Sequence, residues 1–282
     1  RVLITGLDQI DQFADIDLKI KGGVRDQLVY INHKPFRFAS ELGLDVEQME
    51  GDADTHLKLF FILERELSFK QIKVWARADL TGVRLGNIIQ GHGIDNGNLN
   101  LRLDTFGVDV KGDVEIAKIP AKITWRRNFA KHANFISKYR LNGEIQDVQR
   151  LRDMGLSMEL FSSKYIRGRL KSDISYTVFD EENHQLEVTF DITDTALSAP
   201  AFGWSKKIGK QGQARIVIDF ENKLIIDVPE FSVQATGLDI HGKADYAFDG
   251  SGLEKVEFTE VAIGRTKMKG ALIPKPGGGW EA

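Results

Sequence analysis

The stretch Gln71-Ile72-Lys73-Val74-Trp75-Ala76-Arg77-Ala78-Asp79-Leu80 decides the fold. Ile72, Val74, Ala76, Ala78 and Leu80 alternate with Gln71, Lys73, Trp75, Arg77 and Asp79. A period of two sends alternate residues to opposite faces, so this is a strand with one apolar and one mostly polar face. The same alternation runs outward from it. Toward the N-terminus it takes in Leu57, Leu59, Phe61, Leu63 and Ile16, Leu18, Ile20. Toward the C-terminus it takes in Leu99, Leu101, Leu103, then Val108, Val110, then Val114, Ile116. It resumes at Leu186, Val188, Phe190, Ile192, at Ile216, Ile218, Phe220, at Leu224, Ile226, Val228, and at Leu238, Ile240. Tyr246, Phe248, Val256, Phe258, Val261 and Ile263 close the series.

Turn chemistry falls between these runs. Asp95-Asn96-Gly97, Phe106-Gly107, Lys111-Gly112, Asp180 to Asn183, Glu221-Asn222, Thr236-Gly237 and Asp249-Gly250 read as hairpin or bulge sites. Strands at roughly 8–12 residue spacing point to a meandering antiparallel sheet. Strand and helix do not alternate, which argues against a parallel α/β fold. The expected helices are short: Val24–Ile31, a segment from Pro35 to about Leu42 stopped by Gly43, and Val148–Met154 capped by Asp147 and ended by Gly155. Arg126–Arg140 reads equally as a helix followed by a strand.

The chain has 282 residues and a net charge of −3, with 27 Gly, 6 Pro and no Cys. Disulfides, thiolate zinc sites and a Cys nucleophile are excluded. The balanced charge argues against nucleic acid as a partner. The longest apolar run, Leu59 to Leu63, is far short of the ~20 residues that span a bilayer. The chain opens on Arg1, so it reads as a segment of a longer protein, and any anchor or address signal would lie outside it. Weak repetition relates Phe106–Gly112 to Thr236–Gly242, and Ala78–Leu85 to Phe190–Leu197. Two β-rich halves are expected, 1–126 with short helices near 24–42 and 127–282 with a short helix near 148–154.

No motif carries reaction chemistry. Gly237-Leu238-Asp239-Ile240-His241-Gly242-Lys243-Ala244 approaches a phosphate loop. However, Ala244 replaces the required hydroxyl, the residues between the glycines alternate as a strand, and no helix follows. The six histidines show no metal-binding spacing, and His56 beside Asp52 and Asp54 reads as part of a polar strand face. No Gly-x-Ser-x-Gly elbow occurs, and no carboxylate pair is singled out. The expectation is a chain that is not an enzyme and takes no cofactor or metal. Trp204, Lys206, Lys207 and Lys210 form a compact basic loop. Such a loop can contact lipid headgroups or an acidic partner, although a solvated turn is the simpler account.

Several stretches resemble AsmA-like envelope proteins of the YhdP/TamB-related branch. They are Lys19–Ile31 with Lys34–Leu44, Gly51–Leu63, Asp104–Gly112 leading to Ile123-Thr124-Trp125, Ala201–Gly209, Gly250–Phe258 and Ile263–Thr266. The resemblance implies an all-β fold with a few short helices: a long curved antiparallel sheet forming a taco-like apolar groove. It also implies a periplasmic location, in a protein anchored to the inner membrane of a Gram-negative bacterium. The implied function is lipid transfer, the partners being phospholipid acyl chains and envelope proteins. Leu59, Phe61, Val74, Ala76 and Leu101 are the expected groove lining of the first half. Val110, Val188, Phe190, Ile218 and Ile226 extend it. The rival reading is a β-sandwich-like structural or interaction module serving as an envelope assembly scaffold. Strand alternation is the same in both.

Overall fold

A computed structural model describes residues 1–33, 39, 45–65, 67, 71–89, 92–130, 132–147, 164–222, 224–247, 251–275 and 279–281. The expected helices at 35–42 and 148–154 and the turn at Asp249-Gly250 lie outside these residues, Ala39 excepted. Sixteen strands form one antiparallel sheet that is not closed, and three short strands form a second sheet. The chain divides into two compact units, Arg1–Ala133 and Asn134–Ala282.

In the first unit, β1 (Val2–Thr5), β2 (Phe13–Gly23), β3 (Met49–Ile62), β4 (Lys73–Ile89), β5 (His92–Asp104), β6 (Gly107–Ile116) and β7 (Ile119–Asn128) pair in chain order. α1 (Val24–Ile31) follows β2 directly. The Gln27 side chain ties it down: Nε2 donates to the carbonyls of Gly22 (3.1 Å) and Ala53 (2.9 Å), while Oε1 accepts from the Thr55 hydroxyl (2.7 Å). Arg126–Asn128 belong to β7 and Ser137–Arg140 open the next strand, so the ambiguous segment contains no helix among the described residues.

The second unit contains β8 (Ser137–Ile145), β9 (Ile166–Gly168), β10 (Leu170–Val178), β11 (Asn183–Asp191), β12 (Thr195–Ala199) and β13 (Trp204–Lys206). β14 (Gly212–Glu221), β15 (Leu224–Ala235), β16 (Leu238–Tyr246), β17 (Leu253–Ile263), β18 (Thr266–Pro274) and β19 (Trp280–Glu281) complete it. The small sheet is β13-β12-β9. The other strands of this unit pair in the order β8-β10-β11-β14-β15-β16-β17-β18-β19.

Two of the expected turn sites are not hairpins. Asn96 (φ 51°) and Gly97 lie within β5, where the register with both neighbouring strands shifts, so this pair makes a bulge. Lys111-Gly112 lies inside β6, and a Cβ on Gly112 would come within 2.0 Å of the Asn98 carbonyl oxygen. That glycine permits a close backbone approach, not a reversal of the chain. Phe106-Gly107, Asp180 to Asn183, Glu221-Asn222 and Thr236-Gly237 all stand at hairpin connections.

Candidate functional site

Register sorts the alternating residues into rows that cross the strands. In the first unit, Ile16, Leu59 and Val74 pair in succession, as do Leu18, Leu57, Ala76, Leu103 and Val108. The next row is Ile20, Thr55, Ala78, Leu101, Val110 and Trp125. Because every strand is antiparallel to its neighbour, residues directly opposite share a face, and one apolar face extends over β2 to β7. Much of it is closed to solvent. Val108 is 0% exposed, Val74 4%, Leu59 6% and Ala76 7%. Phe61 and Leu101 are half-buried.

The second unit repeats the pattern with a different outcome. Leu141, Ile174, Val188, Ile216 and Phe231 form one row. Tyr139, Tyr176, Leu186 and Ile218 form another, and Ser172, Phe190, Ala214, Val233, Ile240, Val261 and Met268 a third. Ile174, Leu186, Val188, Phe190, Ile216 and Ile218 are all only half-buried. Ile226 stands where the β14–β15 register shifts, between Ile225, which pairs with Phe220, and Asp227, which pairs with Asp219, so the pairing gives it no partner in the rows. The strip is therefore apolar, ordered by register and open to solvent over its middle strands. One end of it is aromatic. Tyr176 packs against Tyr139, His184 and Phe220, with ring centroids 6.4, 5.7 and 6.4 Å away. The Tyr176 hydroxyl and His184 Nδ1 are 2.6 Å apart, and burial pushes the phenol up from its ordinary value. At the other end Leu238, Val261 and Ile263 are buried with Trp204, Val233, Ala235, Ile240 and Phe258 packed around them.

The opposite faces carry ion pairs between strands. Lys21 meets Asp54 at 2.6 Å, and Asp17 accepts from His56 at 2.8 Å and faces Lys58 at 3.3 Å. Trp75 lies among Lys58, Arg77 and His56, its ring centroid 4.9 Å from the Arg77 guanidinium carbon. In the second unit, Arg140 bonds both oxygens of Asp173 (2.9 and 2.5 Å), and Arg215 bridges Glu187 and Glu230. These pairs are mostly exposed and contribute at most about 1 kcal/mol each. Their effect is to fix which face is wet. Among the described residues no group of carboxylates and histidines could hold a metal ion.

The basic loop differs from its expectation. Lys206 is 3% exposed, and its Nζ donates to the carbonyls of Ile192 (2.7 Å), Thr193 (3.1 Å) and Thr195 (2.8 Å). It binds the small sheet to the end of β11 and is not available to a headgroup. Burial pushes this ammonium down from its ordinary value, partly offset by Asp191 and Asp194. Trp204 also turns inward: its indole N–H donates to the Thr236 carbonyl at 3.1 Å. Lys207 and Lys210 are exposed and remain available as contacts. The Lys206 cage and the Tyr176–His184 pair were not legible in the sequence, because their partners come from different strands and loops.

The near-phosphate stretch is a hairpin turn at Gly237 followed by strand. Leu238 to Tyr246 form β16, with Asp239 and His241 on its polar face 2.9 Å apart. No protein-family model, curated protein or solved structure matches this chain.

Proposed function

We propose that this chain is a non-enzymatic lipid-binding segment, part of a conduit moving phospholipid between the inner and outer membranes of a Gram-negative envelope. The apolar strip over β10, β11, β14 and β15 carries the reading. Six aliphatic and aromatic side chains, among them Val188, Ile216 and Ile218, stand in register there and remain half-exposed. An acyl chain laid against such a strip gains about 0.8 kcal/mol per buried CH₂ without any directional contact. Strands about 4.8 Å apart supply successive contacts for the same tail. The AsmA-like resemblance contributes the envelope, the periplasm and the phospholipid; the strip contributes a surface that suits a hydrocarbon tail.

One observation favours the rival, a structural or interaction module. The first unit already buries Leu59, Val74, Ala76 and Val110, as a face packed within protein does. The lipid reading therefore assigns the contact to the second unit, with Phe61 and Leu101 as the accessible positions of the first.

The test is photo-crosslinking in whole cells, with the reactive residue at Val188 or Ile218 and, as outward controls, at Glu187 or Asp219. Lipid adducts at the first pair alone support the conduit. Adducts at neither pair, together with protein adducts at either, support the scaffold.

A further inference from the structure

We propose that the phospholipid of the strip carries a zwitterionic headgroup ending in an ammonium, with its phosphate held at His184 and its ammonium at the acidic turns beyond. The inference rests on the lipid reading of the same strip and names the class of headgroup.

The strip has one polar end. Register puts alternate residues of β8, β10, β11 and β14 on its face, and His184 is the only one of them whose side chain carries nitrogen. No lysine, arginine or carboxylate stands on that face of these strands. Along the strands, the Val188 row is followed by the Tyr176 row, then by Val178, His184 and Phe220, and then by the turn between β10 and β11. Tails laid across the inner rows leave the headgroup at this end.

His184 is set as a donor. Burial pushes the Tyr176 phenol up from its ordinary value, so it keeps its proton, and its hydroxyl lies 2.6 Å from His184 Nδ1. With the phenol donating to Nδ1, the imidazole carries its own proton on Nε2. Nε2 is on the side of the ring turned away from Tyr176 and has no partner among the described residues. A half-buried N–H at the edge of an apolar surface suits a phosphate oxygen, because a charged acceptor makes the stronger hydrogen bond.

Beyond His184 the charge is negative. Asp180, Glu181 and Glu182 are exposed in the β10–β11 turn. The β14–β15 turn lies beside it, the Asn222 N–H donating to the Glu182 carbonyl at 3.0 Å, and Glu221 pairs with Asn183. Lys223 is the one cation in either turn. Hydrogen bonds from the Asn183 side chain and backbone, and from the Glu182 N–H, hold Asp180 below the usual carboxylate range, so it stays charged. A headgroup of net negative charge is repelled here and an ammonium is attracted. The rings of Tyr139, Tyr176 and Phe220 add π faces that favour a cation. Hydrocarbon surface, N–H donor and carboxylates thus follow one another in the order of tail, phosphate and ammonium.

Calorimetric titration with three dioctanoyl probes, each below its micelle concentration, tests this. Phosphatidylethanolamine should bind tightest. Phosphatidylglycerol, which keeps the phosphate but ends in hydroxyls, and dioctanoylglycerol, which has neither charge, should each be weaker by about tenfold. Phosphoethanolamine without tails should not bind measurably. His184→Phe should weaken phosphatidylethanolamine by about tenfold and leave dioctanoylglycerol unchanged. Glu181→Lys with Glu182→Lys, at exposed positions that leave the melting curve in place, should reverse the order of the two phospholipids. Equal affinity for the three probes would keep the strip as a lipid surface and overturn the headgroup assignment. So would a preference for phosphatidylglycerol, a preference that survives the turn changes, or tail-free phosphoethanolamine binding as tightly as the lipid. Binding of none of the probes would overturn the lipid reading and this inference with it.

Discussion

The ring of Phe231 fills the space that a side chain on Gly242 would need. A Cβ there would lie 2.3 Å from the Phe231 Cζ and 2.5 Å from the Glu257 carbonyl oxygen. The two residues face each other across β15 and β16, and Phe231 meets Phe258 edge-on at 5.7 Å. The aromatic ring thus covers a bare stretch of backbone, and the glycine serves packing. Gly242→Ala should lower stability by about 1–3 kcal/mol through overpacking. Gly270→Ala on β18 has nothing within 4 Å of the added methyl, so it should be neutral or slightly stabilising. Thermal melts of the two variants side by side measure the contrast.

Val74 and Ile218 occupy equivalent positions on apolar faces but differ in burial. Val74 is 4% exposed and Ile218 half-buried. Val74→Asp places an unpaired carboxylate in a closed interior, a change of about 3–5 kcal/mol that should unfold the first unit. Ile218→Asp leaves its carboxylate within reach of water, so the fold should survive while the apolar strip is interrupted. Lipid recovered by mass spectrometry from the folded Ile218→Asp protein should fall well below wild type. Unchanged recovery would remove the strip from the lipid path.

Lys206 tests a different kind of contact. Its three carbonyl partners come from the residues just after β11 and from the start of β12. Lys206→Met keeps much of the volume but leaves these oxygens without their ammonium donor. Ile192 and Thr193 retain backbone partners in Thr195 N–H and Gly209 N–H, which limits the loss. A destabilisation of about 2–3 kcal/mol is expected, centred on the small sheet. Hydrogen exchange should show β12 and β13 opening more readily, with β4 and β5 unaffected.

Strand faces were readable because they are local. Val74, Ala76 and Ala78 share a side whatever the strand pairs with, and a meander pairs each strand with its sequence neighbour. Hairpin against bulge at Asn96-Gly97 was not readable, since the same dipeptide serves both and the choice depends on how far β4 and β5 run together. Lys206, flanked by Ser205 and Lys207, has the sequence of a surface loop, and only the approach of residues 192–195 makes it an interior cation. Alternation is also identical in the closed face of the first unit and the half-open strip of the second. Exposure is a property of what lies opposite, and a period of two does not report it.

Arg140 and Asp173 give the chain a defined acid response. Asp173 is held below the usual carboxylate range, first by its hydrogen bonds from Arg140 and then by the Arg140 charge and Asn142, while burial opposes them. A depressed folded-state value means that the unfolded chain binds the proton more readily. The pair's contribution is therefore fully present above the unfolded carboxylate value of about 3.9 and is lost as pH falls through the lower folded value. Asp173 is 38% exposed, so solvent screening keeps the contribution below about 1 kcal/mol. Asp173→Asn should lower the melting temperature slightly at pH 7, and the difference should shrink as pH falls below the unfolded carboxylate value of about 3.9 and the wild-type carboxylate takes up its proton. Melting curves of both proteins from pH 2 to 7 should converge at the acid end, and parallel curves would show that the pair contributes no electrostatic stability.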